Sequence, residues 1–599
     1  MCSRKSLIFL VAFLCSLTAY AQRFIDNLDR GMVAVSCSKG VYLSWRVQSD
    51  EYYDVKYNLY CNGERIAENL NTSNFTDANG SATASYQVAA VVRGVEQEKC
   101  NAVMPWANDY MEIKPKHASM LKSTYQPNDA CCADVDGDGQ LEILLKYNNV
   151  EEGAQGYPKV GPTIDGVQTK EYTLMEVLRL DGTVLWWVNC GPNMGDFQNN
   201  EQNIVGYDWD LDGRAEVVMR LCEGAEVHLA DGTTYIIGAD GKNGTAWTNY
   251  RIPHGGGVEW FTYYGNEFLW YCEGKTGKPY QCIAYPCARF EAGECDLNKA
   301  WVDGYGHRAS KFFFGAPYLD GHKPSIFLGR GIYTRHKFVA LDVDPSTHIL
   351  TERWRWMNNS PGAWYGQGYH NYGIDGRDEI VWGSMVIDDN GKGLSTCGLG
   401  HGDSQHHGDF DPYSYGLEGF FCNESSPANN YRDLTTSQFY HRFATSGDDG
   451  RAIAGNFCGS VPGAMAFSAH ENPISCATGN VESSLTKDGV GMNFRCYWDG
   501  DLLEETFNGG DNAMGSITKY GSWTSIKDFT GTVTNNGTKA TPSYMGDIFG
   551  DWREEFICRT PDNNLRIFTT TTSTKWRMQS LWYDHQYRNG MVWEPCGYN

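Results

Sequence analysis

The chain has 599 residues, a formal net charge of −24 at pH 7, 67 glycines, 20 cysteines and 14% aromatic residues. That length exceeds what one hydrophobic core fills, so two domains or one large repetitive architecture are expected. The charge excludes a nucleic acid held in a basic groove, the lack of any run near about 20 apolar residues excludes a membrane-spanning helix, and scattered cysteines without a C-x-x-C pair exclude zinc.

Arg4 and Lys5 precede an apolar run over residues 7–17 and the A-x-A signal of Ala19, Tyr20 and Ala21. Residues 1–21 therefore read as a cleaved signal peptide, with the mature chain starting at Gln22 and exported to the periplasm or beyond. Leu14 before Cys15 is bulkier than lipoprotein processing prefers, which favours simple secretion over a surface lipoprotein. The 18 cysteines left after the leader are an even number, as suits an oxidising compartment, and their pairing is not deducible from sequence.

Residues 22–111 show short alternating runs. Val41, Leu43 and Trp45 face one way in VYLSWRV, YNLYCNGERI runs into an Asn62-Gly63 turn, and SYQVAAVV closes the segment. This predicts a fibronectin-like β-sandwich with Trp45 in its core.

Over residues 112–599 aromatic, Gly-rich strands recur with almost no helical period, and one theme repeats: an acidic turn leading into a strand. It appears in DVDGDGQLEILLKY, DWDLDGRAEVVMRL, GIDGRDEIVWGSM, GDFDPYSYGLEGFF and GDIFGDWREEFICR, and more weakly in YLDGHKPSIFLGR and GSVPGAMAFSA. Repeated multi-strand units of this kind predict propeller blades, because one blade alone cannot bury its faces. Seven entries imply seven or eight blades.

The strongest local signal is Asp134, Asp136 and Asp138 with Glu142, repeated at identical spacing as Asp208, Asp210 and Asp212 with Glu216. Alternate carboxylates of a tight turn converge, and Gly139 and Gly213 let the backbone fold round a hard cation, so calcium is expected. An EF-hand would need a bidentate Glu at loop position 12, where Leu145 and Met219 stand instead, and the apolar run that follows is a strand pattern. A third copy keeps only part of the set, with Asn371, Gly373, Asp375 and Glu379, and predicts weak or no binding. Longer variants are Asp409, Asp411 and Glu418, and Asp547, Asp551 and Glu555. His401, Asp403 and His406, with His370 upstream, form a further cluster that could ligate a metal or line a sugar site.

The order of these segments resembles family 11 of the rhamnogalacturonan lyases over nearly the whole mature chain. LDRGMVAV and GVYLSWR resemble its start; PYLDGHKPSIFLGRGIYTR, SMVIDDNGKGL and GLGHGDSQHHGDFDP its middle; NFRCYWDGDLL, NNGTKATPS, GDIFGDWREE and DHQYRNG its end. The resemblance implies an all-β fold, an eight-bladed propeller with an N-terminal β domain, several Ca2+ ions, and β-elimination in the pectic polysaccharide rhamnogalacturonan I by a secreted monomer. Elimination at a uronate needs its carboxylate charge offset and a base for the C5 proton. The resemblance places these roles on Arg451 and Lys539, with Asn536, Gly537, Thr538 and Glu176 at the substrate; Glu176 stands where an Asp is usual. It leaves endo and exo cutting open, and a non-catalytic pectin-binding propeller or a lyase of altered specificity remains the alternative. Family members usually continue past the position of Asn599, which would make this chain a fragment.

Overall fold

The computed structural model describes residues 25–596 except 52, 118–124, 150–162, 165–166, 169–173, 195–202, 251–263, 302–305, 359–369, 374–375, 424–428, 444–448, 471, 489, 511–512, 523 and 536–540. The leader therefore lies outside the described residues. The fold is all-β, and no helix is long and apolar enough to cross a membrane.

The N-terminal strands form two antiparallel sheets. One holds Val33–Cys37, Gly40–Ser44 and Asn74–Asp77; the other holds Lys56–Cys61, Glu64–Leu70, Tyr86–Val92 and Val95–Lys99. Their inner side chains, Leu43, Trp45, Tyr57, Leu59, Tyr86 and Val88 among them, make one core. Trp45 is fully buried, edge-on to Tyr57 at 5.5 Å. The expected Asn62-Gly63 turn is present, both residues having positive φ (51° and 84°), the geometry of a tight hairpin.

Strand Tyr110–Ile113 joins neither sheet. It pairs instead with Leu565–Phe568, Tyr110 opposite Phe568 and Ile113 opposite Leu565. The boundary expected at Met111 thus falls inside a strand that completes the last sheet of the chain.

From Tyr125 onward, eight antiparallel sheets open in turn among the described residues, the first extended by Glu226–His228 and Thr234–Ile236 from beyond the second sheet's opening strands and the last completed by Tyr110–Ile113. They open on Tyr125–Ala133, Ile204–Tyr207, Phe312–Gly315, His370–Gly373, Gly402–Gly408, Ala452–Gly455, Phe494–Cys496 and Tyr544–Gly546. Strands such as Phe312–Gly315 and Glu216–Cys222 are buried at every position; the first is a continuous apolar run, and the second buries Glu216 and Arg220 with its apolar residues. Strand Ala452–Gly455 touches Gly402–Gly408 and Phe494–Cys496, and Tyr125–Ala133 touches both Ile204–Tyr207 and Tyr544–Gly546. Seven of the eight sheets enter their second strand through a turn of the repeated theme; the eighth such turn, between Phe494–Cys496 and Glu505–Gly510 of the seventh sheet, begins within NFRCYWDGDLL.

The C-terminal helix His585–Trp593 packs against opening strands of the first four sheets. Asp584 caps it, its Oδ1 accepting from the Tyr587 N–H at 2.8 Å, which satisfies an orphan donor of the first turn. Arg588 and Trp582 donate to Asp26 Oδ2 at 2.7 and 2.6 Å, so the two ends of the described chain clasp. The sandwich is also held to the last sheet: Arg46 donates to the Ile548 carbonyl at 2.7 Å and Arg553 to the Tyr42 hydroxyl at 2.7 Å. None of the 18 cysteines forms a disulfide. Eleven are buried, seven of those within strands, and act as small apolar side chains.

Candidate active site and cation sites

Five of the acidic turns share one backbone device. The Glu that opens the second strand faces the last residue of the first strand, as in Ala133 with Glu142, Tyr207 with Glu216 and Cys496 with Glu505. Its Oε2 accepts from loop N–H groups: Val135 for Glu142 (2.9 Å), Trp209 for Glu216 (2.9 Å), Phe410 for Glu418 (3.0 Å), Trp498 for Glu505 (2.6 Å) and Ile548 for Glu555 (2.9 Å). The first Asp folds the loop over itself. Asp134 accepts from the N–H groups of Gly137 and Gly139 at 2.7 and 2.9 Å, and Asp208 from those of Asp212 and Gly213 at 3.1 and 2.8 Å. The turn needs left-handed backbone, supplied by Gly137 (φ 76°) in one copy and by Leu211 (φ 64°) in the other, where a β-carbon is disfavoured.

Carboxylate oxygens converge to within 4.8 Å of one another in three groups among the described residues: Asp208, Asp210, Asp212 and Glu216; Asp134, Asp136 and Glu142; and Asp499, Asp501 and Glu505. Asp138 stays out of its group, its Oδ1 accepting from the Gln140 N–H at 2.9 Å. Asp409, Asp411 and Glu418 do not converge in this way.

The first two groups fit a hard divalent cation. All their donors are oxygens, as calcium prefers, and Asp136 Oδ1 is buried without a hydrogen-bond partner among the described residues. Burial, with the neighbouring carboxylates adding to it, pushes Asp134 up to about 6, Glu142 up to about 8 and Asp208 up to about 7. A bound cation would hold these groups ionised. Basic side chains sit at the rims: Arg179 pairs with Asp136, and His348 Nδ1 lies 3.1 Å from Asp210.

The third group already holds a cation of its own. Lys519 Nζ lies 2.6 Å from Asp499, 2.5 Å from Asp501 and 3.1 Å from Glu505. The spacing of those three acids matches Asp136, Asp138 and Glu142, a signal the sequence offered but for Tyr497 in the first Asp position. In the last sheet the acids are satisfied differently. Asp551 pairs with Arg553 at 2.8 Å, and Asp547 accepts from the Ser580 hydroxyl and the Leu581 N–H at 2.7 and 2.8 Å. In the fourth sheet, where Asp375 lies outside the described residues, the neighbouring Asp378 accepts from His585 Nε2 at 2.8 Å and Asn589 at 3.2 Å.

The His and Asp cluster divides. His401 is buried, its Nε2 3.1 Å from Asp403 Oδ1 and its ring 4.4 Å from that of Tyr333. His406 turns to the Ala452 carbonyl at 2.9 Å, and burial pushes it down to about 4. The His370 side chain lies outside what is described.

Arg451 is half-buried and immediately precedes the opening strand Ala452–Gly455. Its carbonyl accepts from Ala469 N–H at 3.3 Å and Cys422 Sγ at 3.3 Å. Asn536, Gly537, Thr538 and Lys539 lie outside the described residues, but their flanks are tied: Asn535 N–H donates to the Thr541 carbonyl at 3.0 Å and its side chain to the Pro542 carbonyl at 3.1 Å. Glu176 is buried in strand Leu174–Leu178, one oxygen bound to His117 Nδ1 at 2.6 Å and the other accepting from the Tyr147 hydroxyl at 2.5 Å.

Residues 114–599 match the family model "Rhamnogalacturonan lyase family 11, C-terminal domain" and residues 23–106 match "Rhamnogalacturonan I lyases beta-sheet domain". Rhamnogalacturonan endolyase YesW of Bacillus subtilis is 36% identical over 609 residues, covering 97% of this chain and 90% of that protein. Rhamnogalacturonan exolyase YesX of the same organism is 34% identical over 612 residues, covering 96% and 94%. The crystal structure of YesW superimposes with a TM-score of 0.82 over 97% of this chain and 96% of its own, and that of YesX with 0.83 over 96% and 95%.

Proposed function

Because this chain belongs to rhamnogalacturonan lyase family 11 and is a polysaccharide lyase by that membership, we propose that it cuts the rhamnose–galacturonate bond of rhamnogalacturonan I by β-elimination, leaving an unsaturated galacturonate end. Arg451 offsets the uronate carboxylate charge, which acidifies the C5 proton, and Lys539 removes that proton. Asn536, Gly537 and Thr538 orient the sugar, and Glu176 acts on it through His117 and Tyr147, which hold its two oxygens. The domains are the N-terminal sandwich, through strand Val95–Lys99, and a lyase domain from strand Tyr110–Ile113 onward whose eight sheets are the blades of a propeller. The mature chain is exported and acts as a monomer.

One observation supports the placement of the chemistry. Arg451, and Asn535 on the flank of Lys539, precede the opening strands of their sheets, whereas the acidic turns all follow theirs. An anionic polymer would meet the basic pair at one end of the sheets while the carboxylates collect at the other. Calcium in the groups of Asp134, Asp136 and Glu142 and of Asp208, Asp210, Asp212 and Glu216 would neutralise those loops and brace the turns.

The test is incubation with rhamnogalacturonan I and calcium, following ultraviolet absorbance of unsaturated uronate. Chain cutting with that absorbance is expected. Binding that leaves polymer length intact would select the non-catalytic reading, and new reducing ends without unsaturation a hydrolase.

A further inference from the structure

A cavity of about 750 Å³ lies against the C-terminal helix, among the opening strands of the fifth to eighth sheets. Gly455 and Asn456, at the far end of strand Ala452–Gly455 from Arg451, line it. Asp409, Phe410, Gly459, Val461 and Leu503 line it beyond the far ends of those strands, so its bulk lies toward the acidic turns and away from the site proposed for elimination, and its size suits a mono- or disaccharide.

Three features describe what would fill it. Asn493 lines the cavity, is 5% exposed, and has no hydrogen-bond partner for either side-chain polar atom; Gln405, also lining it and 4% exposed, spends Oε1 on the Gly383 N–H at 3.0 Å and leaves Nε2 without a partner. Buried amides in that state are costly, and hydroxyls, donors and acceptors at once, satisfy both kinds of atom. The rings of Phe410, Tyr497 and Tyr587 supply apolar wall. Five carboxylates, Asp409, Glu504, Glu554, Asp584 and Glu594, face one guanidinium, Arg495, which Glu504 already engages at 2.8 and 3.1 Å. Such a field opposes a carboxylated ligand.

We propose that this cavity is a second carbohydrate site that takes a neutral sugar residue and rejects a uronate. Asn493 and Gln405 read its hydroxyls, and the aromatic rings cover its apolar face.

Saturation-transfer NMR and calorimetry on the full chain would use L-rhamnose and D-galactose as neutral probes, with D-galacturonate and spermidine as charged ones. Two variants place the binding: Asn493→Leu removes an amide that makes no side-chain hydrogen bond, and Gly590→Met projects from the helix, where an added β-carbon meets nothing within 4 Å. A neutral sugar should saturate the wild type and weaken at least about tenfold in both variants, with the thermal midpoint kept and lyase turnover unchanged. Failure of both neutral sugars to saturate, binding that survives both variants, tighter binding of galacturonate or spermidine, or a crystal soak showing ordered water alone would each overturn the proposal. Loss of turnover on rhamnogalacturonan I would bear on the lyase reading alone.

Discussion

The ammonium of Lys519 lies 2.6 Å from the carboxylate of Asp499 and closes the acid turn of the seventh sheet with a side-chain charge. The converging acids of the first sheet, Asp134, Asp136 and Glu142, are rimmed instead by Arg179 and Lys275, which reach only Asp136. Asp499, Asp501 and Glu505 are thus neutralised from within the chain, and hydrogen bonds to the two Asp side chains raise the Lys519 pKa against the lowering effect of burial.

Lys519→Met should therefore create a calcium-responsive turn. In chelator the variant should lose stability, by less than the roughly 3 kcal/mol that breaking a fully buried pair costs, since Lys519 is partly open. Calcium should restore more stability to it than to the wild type. Equal calcium responses in scanning fluorimetry would discard the idea.

Chelation of the wild type should lower its melting temperature, because a cation that binds only the folded state stabilises it by mass action. Asp136→Ala and Asp210→Ala should each remove part of that response, and both together most of it. A melting curve indifferent to chelator would end the calcium reading of both turns.

Lys539→Ala and Arg451→Ala should each abolish unsaturated uronate formation, a loss of at least about 10²-fold, while the melting temperature stays near that of the wild type. Retained turnover in either variant would remove that residue from its role.

Glu554 is pushed up to about 7, first by burial, against the backbone N–H of Tyr497 and the Tyr587 hydroxyl that favour its charge. A carboxyl raised in the fold takes up its proton there before the unfolded chain does, so its contribution is complete below about 4.5 and declines as pH rises through about 7. Glu554→Gln should flatten the fall in stability across that window, by a few kcal/mol at most. An unchanged profile of melting temperature against pH would show that Glu554 is not the titrating group.

Glu267 sits among Arg220, Arg289 and Arg330 at 3.1, 2.8 and 2.7 Å, and despite its burial the three guanidiniums hold it down to about 2. Glu267→Gln would leave buried positive charge uncompensated and should cost about 3–5 kcal/mol. A loss below about 1 kcal/mol in denaturant unfolding would contradict this.

What the sequence determined by itself is local. The Asp134 and Asp208 turns, the strand that follows each and the Asn62-Gly63 hairpin are contiguous segments whose geometry follows from carboxylate spacing and positive φ, and the motif order was enough to identify the family. What only the tertiary structure decided is which charge answers each acid turn. Lys519 arrives from just past the third strand of its sheet, Ala513–Thr518, His585 from the C-terminal helix to Asp378, and His117 and Tyr147 from two different elements to Glu176. Countercharge depends on distance through space, and strand pairing sets that distance between residues that no spacing in the sequence connects.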